Sequence, residues 1–506
     1  MKDYFNTDHL KDGLRTHALR GGSISIIGQV SSFGIQTIST IILARLLAPA
    51  DFGLVTMVLT VGLLLGNFGV NGITEAVIQA KEINHKQAST LFWINNCINV
   101  VIAVFFVSSS FIIVWFYKEP RIKQVVLAIA AANVISSFSV VHLAILMRNI
   151  EFYKISVNNI VAVIMSSAVP ILLALLGWGY WALVSKWLVL PIMITTGAWI
   201  LCGWRPSLPA RKTNVGSMLR YSFHTYGNYV VGYFRKNIDK ILIGRIFGSQ
   251  PLGYYDRAFQ LSGLLPNQII YPLFSVAIST FSKLANDPEK YRYNFLKLLS
   301  MIAFVCMPLS AILSLISHDV IIFLFGEKWS KAGEIFFAFG LSVGVIMIYL
   351  STGWLHLSLG TPDRYFRWSF IEFIVTTLCI AVGLSYGAYG VAIAYSVSFY
   401  LLIGPAFWYA GKPVNLKFSV VFSRLWRYYL SALAAAACCW FVFYYYHPTS
   451  KIYGDLNILV RIVASVSLCV VLYFLSIIIM HKSFGPIREF ISFLREVIKL
   501  KSESTK

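Results

Sequence analysis

The sequence predicts an all-α polytopic membrane protein of about fourteen transmembrane helices, arranged as two six-helix bundles plus two extra helices. Three observations predict it. The 506 residues are 58% hydrophobic and only 12% charged, against about 45–50% apolar and about 25% charged in soluble domains. Apolar runs long enough to cross about 30 Å of hydrocarbon recur along the whole chain. The segment that closes the first run also returns 200 residues later.

The elements follow in order. Residues 1–21 are mixed polar and apolar with no signal-peptide core, so they read as a cytoplasmic amphipathic N-terminus and the first run is retained. Six runs make a first bundle over 22–203: 22–47, 53–74, 88–117, 122–146, 155–176 and 180–202. A cytoplasmic linker, 204–216, leads to a second bundle over 217–411. Its runs are 217–247, 259–281, 295–316, 332–358, 366–386 and 388–410. Two further runs, 426–446 and 457–480, fall within 412–480. The tail, 481–506, carries Ile487, Phe490, Ile491, Leu494, Val497 and Ile498 at helical spacing beside Arg488, Arg495 and Lys499. It is expected to lie on the membrane as an interfacial helix.

The formal charge of +21 fits topology better than nucleic-acid binding. The loops on the side of both termini hold 28 of the 42 Lys and Arg, and the opposite set holds seven, Arg257 among them. That bias places both termini in the cytoplasm. The outer loops are very short, as at 48–52 and 177–179, and the longest outer stretch lies around 317–332. The seven cysteines sit in apolar runs without metal-ligand spacing and read as small core residues.

The repeat sets IILARLLAPADFGLV (41–55) against ILIGRIFGSQPLGYY (241–255) without a gap. Arg45 meets Arg245 and Gly53 meets Gly253, while Leu43, Leu46 and Phe52 meet Ile243, Ile246 and Leu252. A weaker echo joins 179–183 to 388–392. Six is an even number of spans, so both halves insert the same way up. Their symmetry axis then lies along the membrane normal, with a cavity between them.

Ionisable residues concentrate in the seventh run, around YFRKNIDKILIGR. His224, Asn228, Arg235 and Asp239 follow one stripe with Arg220, and Lys236 and Lys240 the next. A charge at the centre of a lipid-facing helix costs at least about 2.5–3.5 kcal/mol. One reading is an internal Arg235–Asp239 or Lys236–Asp239 pair that joins helices. Three cations against one carboxylate fit a hydrated cavity for an anion better, with phosphate or pyrophosphate as the ligand. Arg45, Arg245 and Lys186 either line that cavity or snorkel to headgroups. Arg461 reads as a snorkelling side chain. Glu75 and Glu372, with Asp239, are candidates for ion coupling, against solvated helix ends. His142 and His356 read as packing residues. Aromatic residues at span ends form the interfacial belt.

These stretches resemble a known family. The repeat, NIDKILIGRIFGSQPLGYYDRAFQL (237–261), the stretch 272–286 and LFGEKW (324–329) are similar to the bacterial polysaccharide flippases. Those are the Wzx-type exporters of the multidrug/oligosaccharidyl-lipid/polysaccharide superfamily, on the colanic-acid-exporter side. The resemblance implies translocation of undecaprenyl-pyrophosphate-linked oligosaccharide across the bacterial inner membrane by alternating access, for exopolysaccharide, capsule or O-antigen synthesis. Asp239 and Lys240 stand where the family has Asp-Lys in span seven. The implied partners are the polyprenyl-pyrophosphate-linked oligosaccharide, membrane lipids and the glycan polymerase machinery. No cofactor, metal, catalytic residue or nucleic acid is implied.

Three rivals remain. A lipid-linked peptidoglycan-precursor flippase shares the fourteen spans and a cationic cavity. A multidrug antiporter of the same superfamily would place a carboxylate in the first bundle, and span one has none. An integral glycan polymerase or ligase would need a longer outer loop to hold catalytic groups.

Overall fold

The computed structural model describes residues 14–66, 73–80, 83–210, 216, 233, 236–446, 453–454, 456–492 and 495. No strand occurs among them. They form two compact units, Met1–Gly253 and Tyr254–Lys506. Among the described residues, eleven stretches are long and apolar enough to cross a bilayer, and the longest, Pro362–Val414, holds two full-length helices. Pro49–Leu64 adds a shorter apolar helix.

In the first unit, α1 (Leu14–Leu46) packs on α8 (Phe152–Leu175), which packs on α9 (Tyr180–Cys202). Between them run α2 (Pro49–Gly66), α3 (Thr74–Gln79), α4 (His85–Ser108), α5 (Ser110–Tyr117), α6 (Ile122–Ser137) and α7 (Val140–Arg148). Residues 236–247 form α10. The second unit is entered through α11 (Ser249–Ser262), a π-helical segment (Pro266–Ile270) and α12 (Tyr271–Lys283). There follow α13 (Pro288–Leu315), α14 (Ser317–Phe325), α15 (Ser330–Leu350), α16 (Thr352–Ser358), α17 (Pro362–Gly383) and α18 (Gly387–Gly411). Helices α19 (Phe418–Trp440) and α20 (Ile458–His481) close the unit.

Several spans that hydropathy reads as continuous are broken. The run 122–146 splits at Phe138–Ser139 into α6 and α7, and the run 332–358 splits at Ser351 into α15 and α16. At the first break Asn95 of α4 donates Nδ2 to the Ser137 carbonyl at 2.9 Å, and Ser137 Oγ donates to Asn96 Oδ1 at 2.6 Å. Side chains from a neighbouring helix thus satisfy a main chain that has left its own ladder. Both short halves end in the same turn. The Glu151 amide donates to the Leu146 carbonyl at 3.0 Å, and the Thr361 amide to the His356 carbonyl at 2.8 Å. Ile150 and Gly360 precede these donors in the left-handed region, at φ 56° and 66°. The motif is a helix stop built on a positive φ. It recurs at an offset of 210 and extends the repeat beyond the aligned sequence.

The repeat also holds at the helix starts. Helix α2 begins at Pro49 and α11 at Ser249, an offset of 200. Both start earlier than the apolar runs at 53 and 259. Proline suits the first helical turn, and the Asp51 carboxylate accepts from the Ala48 amide at 3.1 Å. The earlier start of α11 corrects the placing of Arg257. It is a helix residue with a side chain only 11% exposed, paired with Asp256 at 2.7 Å, and not a loop cation.

The predicted extra helices are part of the second unit's core. Residues of α13, α15, α16, α18, α19 and α20 share one buried cluster that includes Phe295, Phe407, Tyr428 and Tyr473. Tyr473 donates its hydroxyl to the Phe304 carbonyl at 2.9 Å. The tail joins it: residues 485–492 are helical, Ile487 and Phe490 pack on the cluster, and the Phe490 ring lies 4.9 Å from Phe304. Leu494, Val497 and Ile498 lie outside the described residues.

Arg461 does not simply snorkel. Its guanidinium pairs with Asp319 of α14 at 3.0 Å and lies 5.8 Å from the centre of the Tyr453 ring. Tyr453 donates to the second Asp319 oxygen at 3.3 Å. The stretch read as the longest outer loop is therefore α14 and a 3₁₀ turn, held by this pair and by fully buried Trp329. Of the cysteines, Cys97 and Cys438 are exposed, so these two are not core residues.

Candidate functional site

The site is built on α10. Tyr233, itself helical, accepts from Asn237 Nδ2 through its carbonyl at 2.9 Å and donates its hydroxyl to the Leu59 carbonyl of α2 at 3.2 Å. Farther along, Gly244 brings the helix close to Tyr117 and Met57, where a Cβ would lie 2.8 Å and 3.4 Å from side-chain atoms. Ile243 beside it is fully buried. Helix α10 is thus pinned at both ends against α2 and α5, and its ionisable residues lie between the pins.

Asp239 is 2% exposed. Lys240 is half-buried and Lys236 exposed. A carboxylate and an ammonium at adjacent positions of an intramembrane helix are expensive unless ions or water meet them. Arg235, His224 and Asn228 lie outside the described residues.

The other predicted residues are dispersed. Arg45 is exposed at the end of α1. Arg245 is half-buried with its guanidinium 5.5 Å from the centre of the Phe116 ring. Lys186 is half-buried in α9, and Glu75 is half-buried in the first turn of α3. Glu372 of α17 belongs to the second unit. It accepts the Tyr349 hydroxyl at 3.0 Å, and Tyr349 in turn accepts from Trp368 Nε1 at 2.8 Å. A carboxylate tied into such a chain is more than a solvated helix end.

Sequence reasoning missed two groups. One is the Asp256–Arg257 pair, to whose carboxylate Gln260 also donates at 2.8 Å. The offset of 200 from Pro49 was the signal that placed these residues inside a helix. The other is the Tyr349–Trp368 relay, whose partners sit on different helices and leave no pattern in the sequence. His142 is fully buried, stacked on Trp199 at 4.5 Å and edged by Trp204 and Phe92. His356 lies against Tyr365 and Tyr409. Both pack among aromatic rings. Outside the spans, hydrogen bonding to Arg121 holds the Glu119 carboxyl below its ordinary value. Among the described residues no group of three or more His, Cys, Asp or Glu is placed to hold a metal ion.

Apolar helices repeated at an offset near 200, broken at matching places and carrying ionisable side chains within the spans, define a multi-pass membrane protein. The chain belongs to the polysaccharide biosynthesis protein family, which matches residues 42–334. It is 26% identical over 324 residues to the lipopolysaccharide biosynthesis protein WzxC of Escherichia coli, covering 63% of this chain and 65% of that one. It is 25% identical to the succinoglycan biosynthesis transport protein ExoT of Rhizobium meliloti, covering 71% of this chain and 73% of the relative. Among solved structures, the lipid II flippase MurJ in an inward closed conformation shares the fold. The TM-score is 0.71 at 14% identity, over 90% of this chain and 99% of that one. An inward-facing multidrug resistance MATE family transporter follows at 0.60 and 13% identity, over 79% of this chain and 99% of that one. The resemblance read from the sequence is borne out at the level of family and fold.

Proposed function

We propose that this chain flips a polyprenyl-pyrophosphate-linked oligosaccharide from the cytoplasmic to the outer leaflet of the bacterial inner membrane by alternating access, with both termini cytoplasmic. The observation that carries the reading is the intramembrane pair Asp239–Lys240 on α10, one residue almost wholly buried and the next half-buried, in a chain of the polysaccharide biosynthesis family. Arg235, Lys236 and Lys240 outnumber Asp239 on this stretch, and a cationic stretch within a span that meets a pyrophosphate needs no chemistry beyond binding and release. The reaction is transport, and no side chain acts as nucleophile or base.

In this reading Arg235, Lys236 and Lys240 hold the pyrophosphate, and His224 and Asn228 line the same stripe. Arg45, Arg245 and Lys186 supply positive potential along the route. Asp239, Glu75 and Glu372 are the carboxylates available for ion coupling, and a glycan polymerase receives the product. The test replaces Arg235, Lys236 and Lys240 by Gln, singly and together, and measures surface glycan and the amount of protein in the membrane. Glycan output is expected to fall at least tenfold in the triple variant while membrane levels hold. Unchanged output in every single variant and in the triple would end the reading.

A further inference from the structure

We infer that the corner formed by the start of α19, the end of α20 and the tail helix binds the headgroup of an anionic phospholipid of the inner leaflet. The inference takes from the reading above only that both termini are cytoplasmic.

The corner is built around Tyr428. This residue is 6% exposed, and its ring centre lies 4.9 Å from that of His481, the last residue of α20. Helices α19 and α20 pack side by side, and Ile487 and Phe490 of the tail pack on the buried cluster that holds Tyr428. Lys482 ends α20 in the left-handed region, at φ 50°, and its amide donates to the Ile479 carbonyl. That stop turns the chain into the tail. Three segments are thus fixed against one another by packing alone.

Charge converges on the same place from all three. Arg424 of α19 and Glu489 of the tail lie within electrostatic reach of Tyr428, and Arg427 of α19 within reach of His481. Lys482 and Arg488 adjoin His481 and Glu489 in the chain. Arg424, Arg427, Lys482 and Arg488 are all exposed. None of these four pairs with a carboxylate among the described residues, whereas Arg121, Lys154 and Lys290 each do. Across 412–428 and 477–492, Glu489 is the one acidic residue.

Topology alone does not ask for this arrangement. The positive-inside bias requires Lys and Arg in cytoplasmic loops, not their gathering around one folded point. Cations held together by packed helices repel one another unless an anion meets them. Guanidinium and ammonium groups both suit a phosphodiester, and basic clusters beside cytoplasmic helix ends recruit anionic headgroups. The occupant also has an apolar half. Phe422 and Phe484, 57% and 55% exposed, flank the cations at the ends of their helices. A soluble anion leaves those rings in water, whereas a diacyl phospholipid covers them with its chains.

The test titrates the full chain, delipidated in mild detergent, with phosphatidylglycerol or phosphatidylcholine. Native mass spectrometry reads the Kd of the first lipid bound. The native chain is expected to prefer phosphatidylglycerol roughly tenfold or more. The double variant Arg424→Gln/Arg427→Gln should weaken phosphatidylglycerol binding roughly thirtyfold, which corresponds to about 2 kcal/mol. The comparison variant, Lys283→Gln/Lys297→Gln, removes the same charge from exposed positions of α12 and α13. It should change the Kd by no more than about twofold, because charges far apart are screened.

Equal losses in the two double variants would reduce the effect to overall charge and overturn the inference. A native chain that binds both lipids alike overturns it too, even if the variants fail to accumulate. Displacement of phosphatidylglycerol by an equal amount of polyprenyl pyrophosphate would make the corner a loading site for the transported lipid, and so also overturns it. Retained preference in a chain that flips no pyrophosphate-linked glycan supports the lipid site and removes the transport reading alone.

Discussion

Arg461 shows what a single side chain can hide from sequence reasoning. Near a span end, an arginine with a long flexible stem is expected to reach for headgroups. Its partner, Asp319, lies 142 positions earlier, beyond any local pattern, and the pair meets only because α14 and α20 are neighbours. Asp319 is 5% exposed by side chain and Arg461 23%, so removing one partner strands a buried charge. Asp319→Leu and Arg461→Leu are each expected to cost roughly 1–3 kcal/mol, below the about 3–5 kcal/mol of a fully buried pair because water reaches the guanidinium. The double change should recover more than half of that loss. Thermal unfolding of the detergent-solubilised protein measures all three, and strictly additive losses would show that the two charges do not interact.

At the scale of elements, the helix stops after α7 and α16 carry a second prediction. Gly360 sits at φ 66° with nothing within 4 Å of where a Cβ would go. Any effect of Gly360→Ala therefore comes from backbone strain alone, and should cost about 1–2 kcal/mol. Gly360→Asn should cost less, because asparagine tolerates this conformation. A lowered melting temperature for Ala and a smaller drop for Asn is the expected order; the reverse order would show that the turn is not strained. The same turn with Ile150 in the first unit explains why the repeat was only partly legible. Arg and Gly at 45/245 and 53/253 match in letters, whereas 150 and 360 match only in geometry. The spans themselves were legible because hydrophobicity sets them. Their interruptions at Ser139 and Ser351 were not, since a broken helix stays apolar when a neighbour such as Asn95 satisfies its free carbonyl. Of the candidate site, Asp239 and Lys240 were readable from charge within an apolar run. The Tyr349–Glu372 contact was not, because it joins α15 to α17.

At the scale of the molecule, the two extra helices decide how the second unit is built. They fall outside the six-plus-six repeat, yet α19 and α20 bury Tyr428, Cys439, Cys469 and Tyr473 in the same core as α13. A chain ended after residue 411 should therefore fail to accumulate as folded protein, rather than persist as a twelve-helix transporter. Size-exclusion chromatography in mild detergent checks this, and a monodisperse shortened protein would refute it.

The shared core also sets an order on biogenesis. Synthesis runs from the first residue onward, so α13, which ends at Leu315, is made well before α20 is complete at His481. During that interval the carbonyl of Phe304 and the aromatic faces around it await a helix not yet made. Membrane proteases and insertases meet the second half of this protein as an unfinished object, and a ribosome stalled late in the message leaves a product they can distinguish from the mature one.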